Sequence, residues 1–228
     1  MNSLDPAALL LLMQLSSPAL PVGGFSYSEG IESAVDAGWI SDEQTASAWI
    51  CDQLELSLAR SDLSVLGEAV KAWRIFDTPR LKSLNDWIIQ TRESSEARLQ
   101  TEQMGRSLVE WIKNQDVVDQ LRLDALNALS PTWPLSFALV VSSLNVEITD
   151  CLLAYAFSWA ENMVQASIKS VPLGQKSGQR ILATLRQKIP EAVQYALALS
   201  DNDRQTFTPG LAILSSLHET QYSRLFRS

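Results

Sequence analysis

The side chains able to do chemistry in this 228-residue chain are few, and their spacing decides which reactions are open to them. Gly24-Phe25-Ser26-Tyr27-Ser28 has the outline of a nucleophile elbow, in which a serine is presented on a tight turn between a strand and a helix. Ser28, however, stands where the closing glycine belongs, and no strand-like alternation precedes it. His218 is the only histidine and so the only imidazole available to Ser26, which makes a serine hydrolase using Ser26 and His218 the alternative reading of the chain. One histidine leaves a multi-histidine metal site without ligands. Placed beside a polar chain end, His218 reads as a surface or partner-contact residue. Gly23 and Gly24 are not followed by the lysine of a phosphate loop. Glu29 and Glu32 share a helical spacing, but a catalytic carboxylate pair needs a cleft and unequal environments. Ser26 and Glu29 fit a capping box, which accounts for Glu29 as the cap of a helix starting there. Cys51 and Cys151 fall in mostly apolar helical stretches as inert buried thiols, too far apart for a Cys-x-x-Cys pair.

These residues depend on an irregular stretch from Ser16 to Glu32. Pro18 and Pro21 prevent the apolar run ending at Leu15 from continuing as a helix, and Gly23-Gly24 permits a turn. Around it, helical periodicity recurs. Asp5-Pro6 opens a helix to about Leu15 whose leucines leave almost no polar face, so that helix must be covered on nearly all sides, by the core or by a partner. Ser41 and Gln44 form a second capping box, followed by Ile50, Leu54 and Leu58, then Leu63, Leu66, Val70 and Trp73. Thr78-Pro79 starts the next helix. Gln90 to Gln103 is densely charged, and Ser130-Pro131-Thr132-Trp133-Pro134 is a turn between apolar helices. Val146 to Val171 reads as the central buried helix. Pro172-Leu173-Gly174 ends it, Pro190 interrupts or restarts the helix that follows, and Leu211, Leu214 and Leu217 form a last apolar stripe.

The pattern is that of a compact, single-domain, all-α bundle of roughly ten helices. A net charge of −8 without a lysine- and arginine-rich block excludes a nucleic-acid surface. No segment supplies the roughly 20 apolar residues of a membrane span. Two cysteines and no positively charged leader predict a reduced, cytoplasmic protein, and the scarcity of catalytic groups favours an interaction protein over an enzyme.

Pro18-Ala-Leu-Pro-Val-Gly-Gly-Phe-Ser-Tyr-Ser-Glu-Gly-Ile-Glu32 resembles the N-terminal signature of the urease accessory protein F (UreF) family. Three further stretches fit the same family in order along the full length: Thr91–Glu93 to Gln103–Arg106, Pro172–Gln175 to Gly178–Arg180, and His218 to Ser228. The resemblance implies a non-catalytic, all-helical homodimer. It further implies binding to UreD (also called UreH) and recruitment of the GTPase UreG, in a complex that engages apo-urease and supports nickel insertion. Nickel and GTP are then handled by the partner complex, and this chain binds no cofactor itself. Carried over residue by residue, the partner-binding positions are Pro21, Gly23, Phe25, Ser26, Tyr27, Gly30 and Glu32 in the motif, and Tyr222, Arg224, Leu225, Phe226 and Arg227 in a partner-binding tail of residues 218–228. A chain end of this kind is mobile unless something ties it down. Its aromatics and arginines have the composition of an interface hot spot.

Overall fold

The computed structural model describes residues 5–227, so Ser228, the last residue of the expected tail, lies outside the described residues. Among them are eleven α-helices and no strand: α1 Pro6–Leu15, α2 Ile31–Asp36, α3 Glu43–Gln53, α4 Asp62–Ile75, α5 Thr78–Thr91, α6 Ser95–Ile112, α7 Gln120–Asn127, α8 Trp133–Ser142, α9 Ile148–Ser170, α10 Gln175–Ala198 and α11 Pro209–His218. The fold is all-α, as the periodicity requires.

Local chemistry sets most of the starts. Asp5 accepts from the Ala8 amide at 3.2 Å, with Pro6 at the first helical position of α1. The cap of α3 is one residue later than the Ser41–Gln44 spacing suggests. Asp42 accepts from the Thr45 amide at 2.8 Å, and Thr45 Oγ1 accepts from the Asp42 amide at 3.1 Å. A β-hydroxyl close to the backbone closes that box without the longer reach of Gln44.

The most completely buried helix is α8 and not the long Val146–Val171 stretch, although α9 within that stretch touches more of the other helices. Every side chain from Leu135 to Val141 is fully buried, whereas α9 buries one face and leaves Phe157 exposed. Both α4 and α6 pack on α8, and α10 packs on α9. The close approach of α6 needs Gly105, where a Cβ would lie 2.7 Å from the Thr132 carbonyl carbon. From the other side Trp73, wholly buried, donates its indole N–H to the Leu135 carbonyl at 3.1 Å.

Two further expectations change. Pro190 does not interrupt α10, because it is exposed and the backbone bond it forfeits lies on the solvent side. Helix α1 is covered along Ala8, Leu12 and Leu15 against α9, while Leu9, Leu10 and Met13 remain exposed. The described chain covers one side of α1 only.

Candidate partner-binding site

The motif does not begin a helix at Ser26. Gly24–Ser26 forms one turn of 3-10 helix, Glu29 and Gly30 both take left-handed backbone (φ 48° and 81°), and α2 starts only at Ile31. The left-handed backbone favours glycine at position 30, and a Cβ there would lie 2.7 Å from Leu211 Cδ1 on α11, so that side chain would have to turn aside. The expected Ser26–Glu29 capping box is therefore absent. Glu29 instead reaches across the molecule, accepting from Gln100 Nε2 of α6 at 2.7 Å and Trp159 Nε1 of α9 at 2.8 Å. Burial pushes its carboxyl pKa up, and these two donors offset part of that rise.

The rest of the motif is gripped in the same manner. Asn162 of α9 donates to the carbonyls of Gly24 at 2.9 Å and Tyr27 at 3.2 Å. The buried Tyr27 places its hydroxyl on Gln103 of α6. Burial raises the Tyr27 pKa, against the opposing effect of the positive charge of the Arg227 guanidinium. Beneath the motif lies a cavity of about 190 Å³ whose lining includes Gly24, Phe25, Glu29, Arg92, Tyr155 and Trp159. On its wall Arg92 pairs with Asp62 at 2.7 Å, and Tyr155 donates to the same Asp62 oxygen at 3.2 Å.

The structure joins the motif to the other end of the chain. Helix α11 packs on α2 and α6, and the nine residues after it lie back over the motif. Glu32, a buried carboxylate of α2, accepts the amides of Leu225 at 2.7 Å and Phe226 at 3.0 Å. The Arg227 amide donates to the Ser26 carbonyl at 2.8 Å. Glu96 of α6 takes Arg224 at 2.8 Å. The Phe226 ring is buried, with the Lys169 ammonium 5.5 Å from its centroid. Something does tie this chain end down, and it is the protein's own body.

His218 is not a surface residue. It is 0% exposed, with Nδ1 2.8 Å from Glu96 Oε2 and Nε2 3.1 Å from Glu32 Oε2. Both ring nitrogens are committed to carboxylates, so the imidazole has none left to take a proton from Ser26. The Ser26–His218 hydrolase loses its base.

Of the residues singled out in the sequence, Gly23, Ser26, Tyr27, Gly30, Glu32, Arg224, Phe226 and Arg227 meet in this one region. Pro21 and Phe25 are exposed on its rim. Tyr222 is fully exposed, and Leu225, whose backbone amide is held by Glu32, is 70% exposed. The Pro172–Arg180 stretch serves elsewhere, as Arg180 binds Glu43 of α3 and holds that carboxyl down to about 2. Glu96, Gln100, Gln103 and Asn162 complete the region and carried no individual signal, although the first three lie in the charged stretch with family-like spacing.

Comparison with known proteins agrees with the resemblance. The UreF family profile matches residues 40–186. A urease accessory protein UreF of Polaromonas sp. is 57% identical over 225 residues, covering 99% of this chain and 97% of the relative. Proteins of the same name from Methylibium petroleiphilum and Paracidovorax citrulli are 58% and 56% identical, covering 97% and 100% of this chain and 94% and 92% of their own lengths. The Polaromonas and Paracidovorax citrulli relatives cover 99% and 100% of this chain and so extend over the motif and the tail, which flank the segment matched by the profile.

Proposed function

This chain belongs to the UreF family, and on that premise we propose that it is a non-catalytic scaffold in urease maturation whose motif–tail face binds the accessory protein UreD/UreH. Through that contact and a homodimeric body it recruits the GTPase UreG and brings it to apo-urease in the cytoplasm. Nickel and GTP are handled by those partners. One observation carries the reading: two segments 193 residues apart are locked together by buried hydrogen bonds, and the lock presents Tyr222 and Leu225 to solvent. Aromatic and aliphatic side chains that face water from an anchored segment are what an interface core requires, since the backbone ordering of that segment is already spent before association.

The test separates anchoring from contact. Removing Tyr222 to Ser228 would strip Phe226 from the core and leave Glu32 and Glu96 short of partners, so it confuses folding with binding. A Tyr222→Ala/Leu225→Ala chain removes only exposed side chains. Its thermal midpoint should match the parent within error, while co-purification with UreD and urease activation in a reconstituted system are lost. Full-stoichiometry co-purification of the double variant would refute the assignment.

A further inference from the structure

The cavity beneath the motif has the size and the lining of a ligand site. Its volume of about 190 Å³ is close to the roughly 150 Å³ of a dry protein cavity that takes up benzene, so a molecule built on a single benzene ring fits. Aromatic rings form one part of the wall: Trp133 stacks on Tyr155 with centroids 5.9 Å apart, and Trp159 joins them from α9. Among the lining residues only Pro18, Phe25 and Glu93 are exposed, and they mark where the cavity meets solvent.

The charged part of the lining is unbalanced. It consists of Glu29, Asp62, Glu93, Glu161 and Arg92. Asp62 pairs with Arg92 at 2.7 Å and cancels its charge, and the other carboxyl groups form no ion pair among the described residues. Glu29 accepts from Gln100 and Trp159, and Glu93 accepts from the Thr208 amide at 3.4 Å, all of them neutral donors. No described residue bonds to the half-buried Glu161, whose carboxyl pKa is raised by burial alone. Gln53, 9% exposed, also lines the cavity, and its amide oxygen is buried without a hydrogen-bond partner. A buried acceptor left open costs free energy that a bound donor recovers. Arg92 Nε is an unpartnered donor and favours an anion, but its guanidinium already holds Asp62.

We propose that this cavity binds a small organic cation, a primary ammonium carried on an apolar body the size of one aromatic ring. The body lies against Trp133, Tyr155 and Trp159, whose faces also attract a cation. The ammonium has only donors, and the lining has open acceptors, with Glu161 as the countercharge and the Gln53 oxygen as a neutral acceptor. A bare metal ion fits less well, because no three His, Cys, Asp or Glu side chains converge among the described residues. The site is built within one chain, so it stands or falls separately from the identity of any partner at the motif–tail face.

Benzylamine, benzyl alcohol and benzoate share a ring and differ in charge, which makes them the probes. Titrated into the full chain at neutral pH and followed by NMR at the indole N–H signals of Trp133 and Trp159, benzylammonium should shift both saturably, with half-saturation at about 1 mM or below. Benzyl alcohol should bind at least about tenfold more weakly, and benzoate more weakly still. Glu161→Gln keeps the shape of a side chain that bonds to no described residue, so its thermal midpoint should match the parent. Its affinity for benzylammonium should fall at least about fivefold. A partner's lysine carries the same ammonium, and Nα-acetyl-lysine amide separates that source from a free ligand: it should bind more weakly than benzylamine. Absence of saturable shifts at the two indoles, equal binding of the alcohol, tighter binding of benzoate or of the lysine amide, or unchanged affinity in Glu161→Gln would each overturn the proposal.

Discussion

In α8 every side chain from Leu135 to Val141 is out of solvent and all but Ser136 are apolar, whereas at the motif–tail contact the buried side chains include Glu32, Glu96 and His218. Burial is equal and the means are opposite. The α8 core gains from area removed from water, a non-directional term that tolerates small shifts. The motif–tail region depends on directional, charge-assisted bonds, each of which leaves a costly orphan if its partner moves. Damage to the first should therefore lower the stability of the whole chain. Damage to the second should free a segment and leave the body folded.

The largest effect is expected from Trp73→Ala. The indole is fully buried, and its loss removes a large side chain and its hydrogen bond to the Leu135 carbonyl. A cost of about 3–5 kcal/mol follows, visible in equilibrium denaturation as a lower midpoint and in hydrogen exchange as faster exchange everywhere. A loss confined to α4 and α8 would show that the core is not one cooperative unit.

Glu32→Ala is the matched test on the other side. It removes the acceptor of two tail amides and one imidazole nitrogen, for about 2 kcal/mol. Exchange should speed up at Leu225, Phe226 and the end of α11 while α8 remains protected. Uniform acceleration along the chain would erase the distinction between the two regions.

That distinction also explains what the sequence shows. Apolar residues three and four apart mark α3, α4 and α5 because a helix face needs only local spacing to be legible. Trp73 and Leu66 could be placed in the core from the pattern alone. The reach of Glu29 to Trp159 spans 130 residues, and that of His218 to Glu32 spans 186, and no local pattern encodes either. Glu29 at a capping spacing and His218 in a polar chain end both carry a plausible local role that the tertiary contacts override. The family resemblance picked out both the motif and the tail, but that they meet is visible only in the fold. The exposed side of α1 was legible as surplus hydrophobicity, and the structure places it on Leu9, Leu10 and Met13.

The smallest and most discriminating effect concerns Glu29, the motif residue whose carboxyl group lines the cavity below. Burial raises its folded pKa above the ordinary value of 4.5, more than the Gln100 and Trp159 donors lower it. A carboxyl group shifted in this direction contributes stability that is fully present below its unfolded pKa and lost as pH rises through the folded value. Glu29→Gln removes the titration and keeps the shape. The stability of the parent minus that of Glu29→Gln should therefore decline as pH rises from about 4 toward neutrality, whatever constant offset the amide introduces. Urea denaturation of both chains at several pH values measures that difference. A difference that grows with pH would mean that the Gln100 and Trp159 bonds outweigh burial. Glu29 would then be an ionised clasp, and the directional regime would extend to the wall of the cavity beneath the motif.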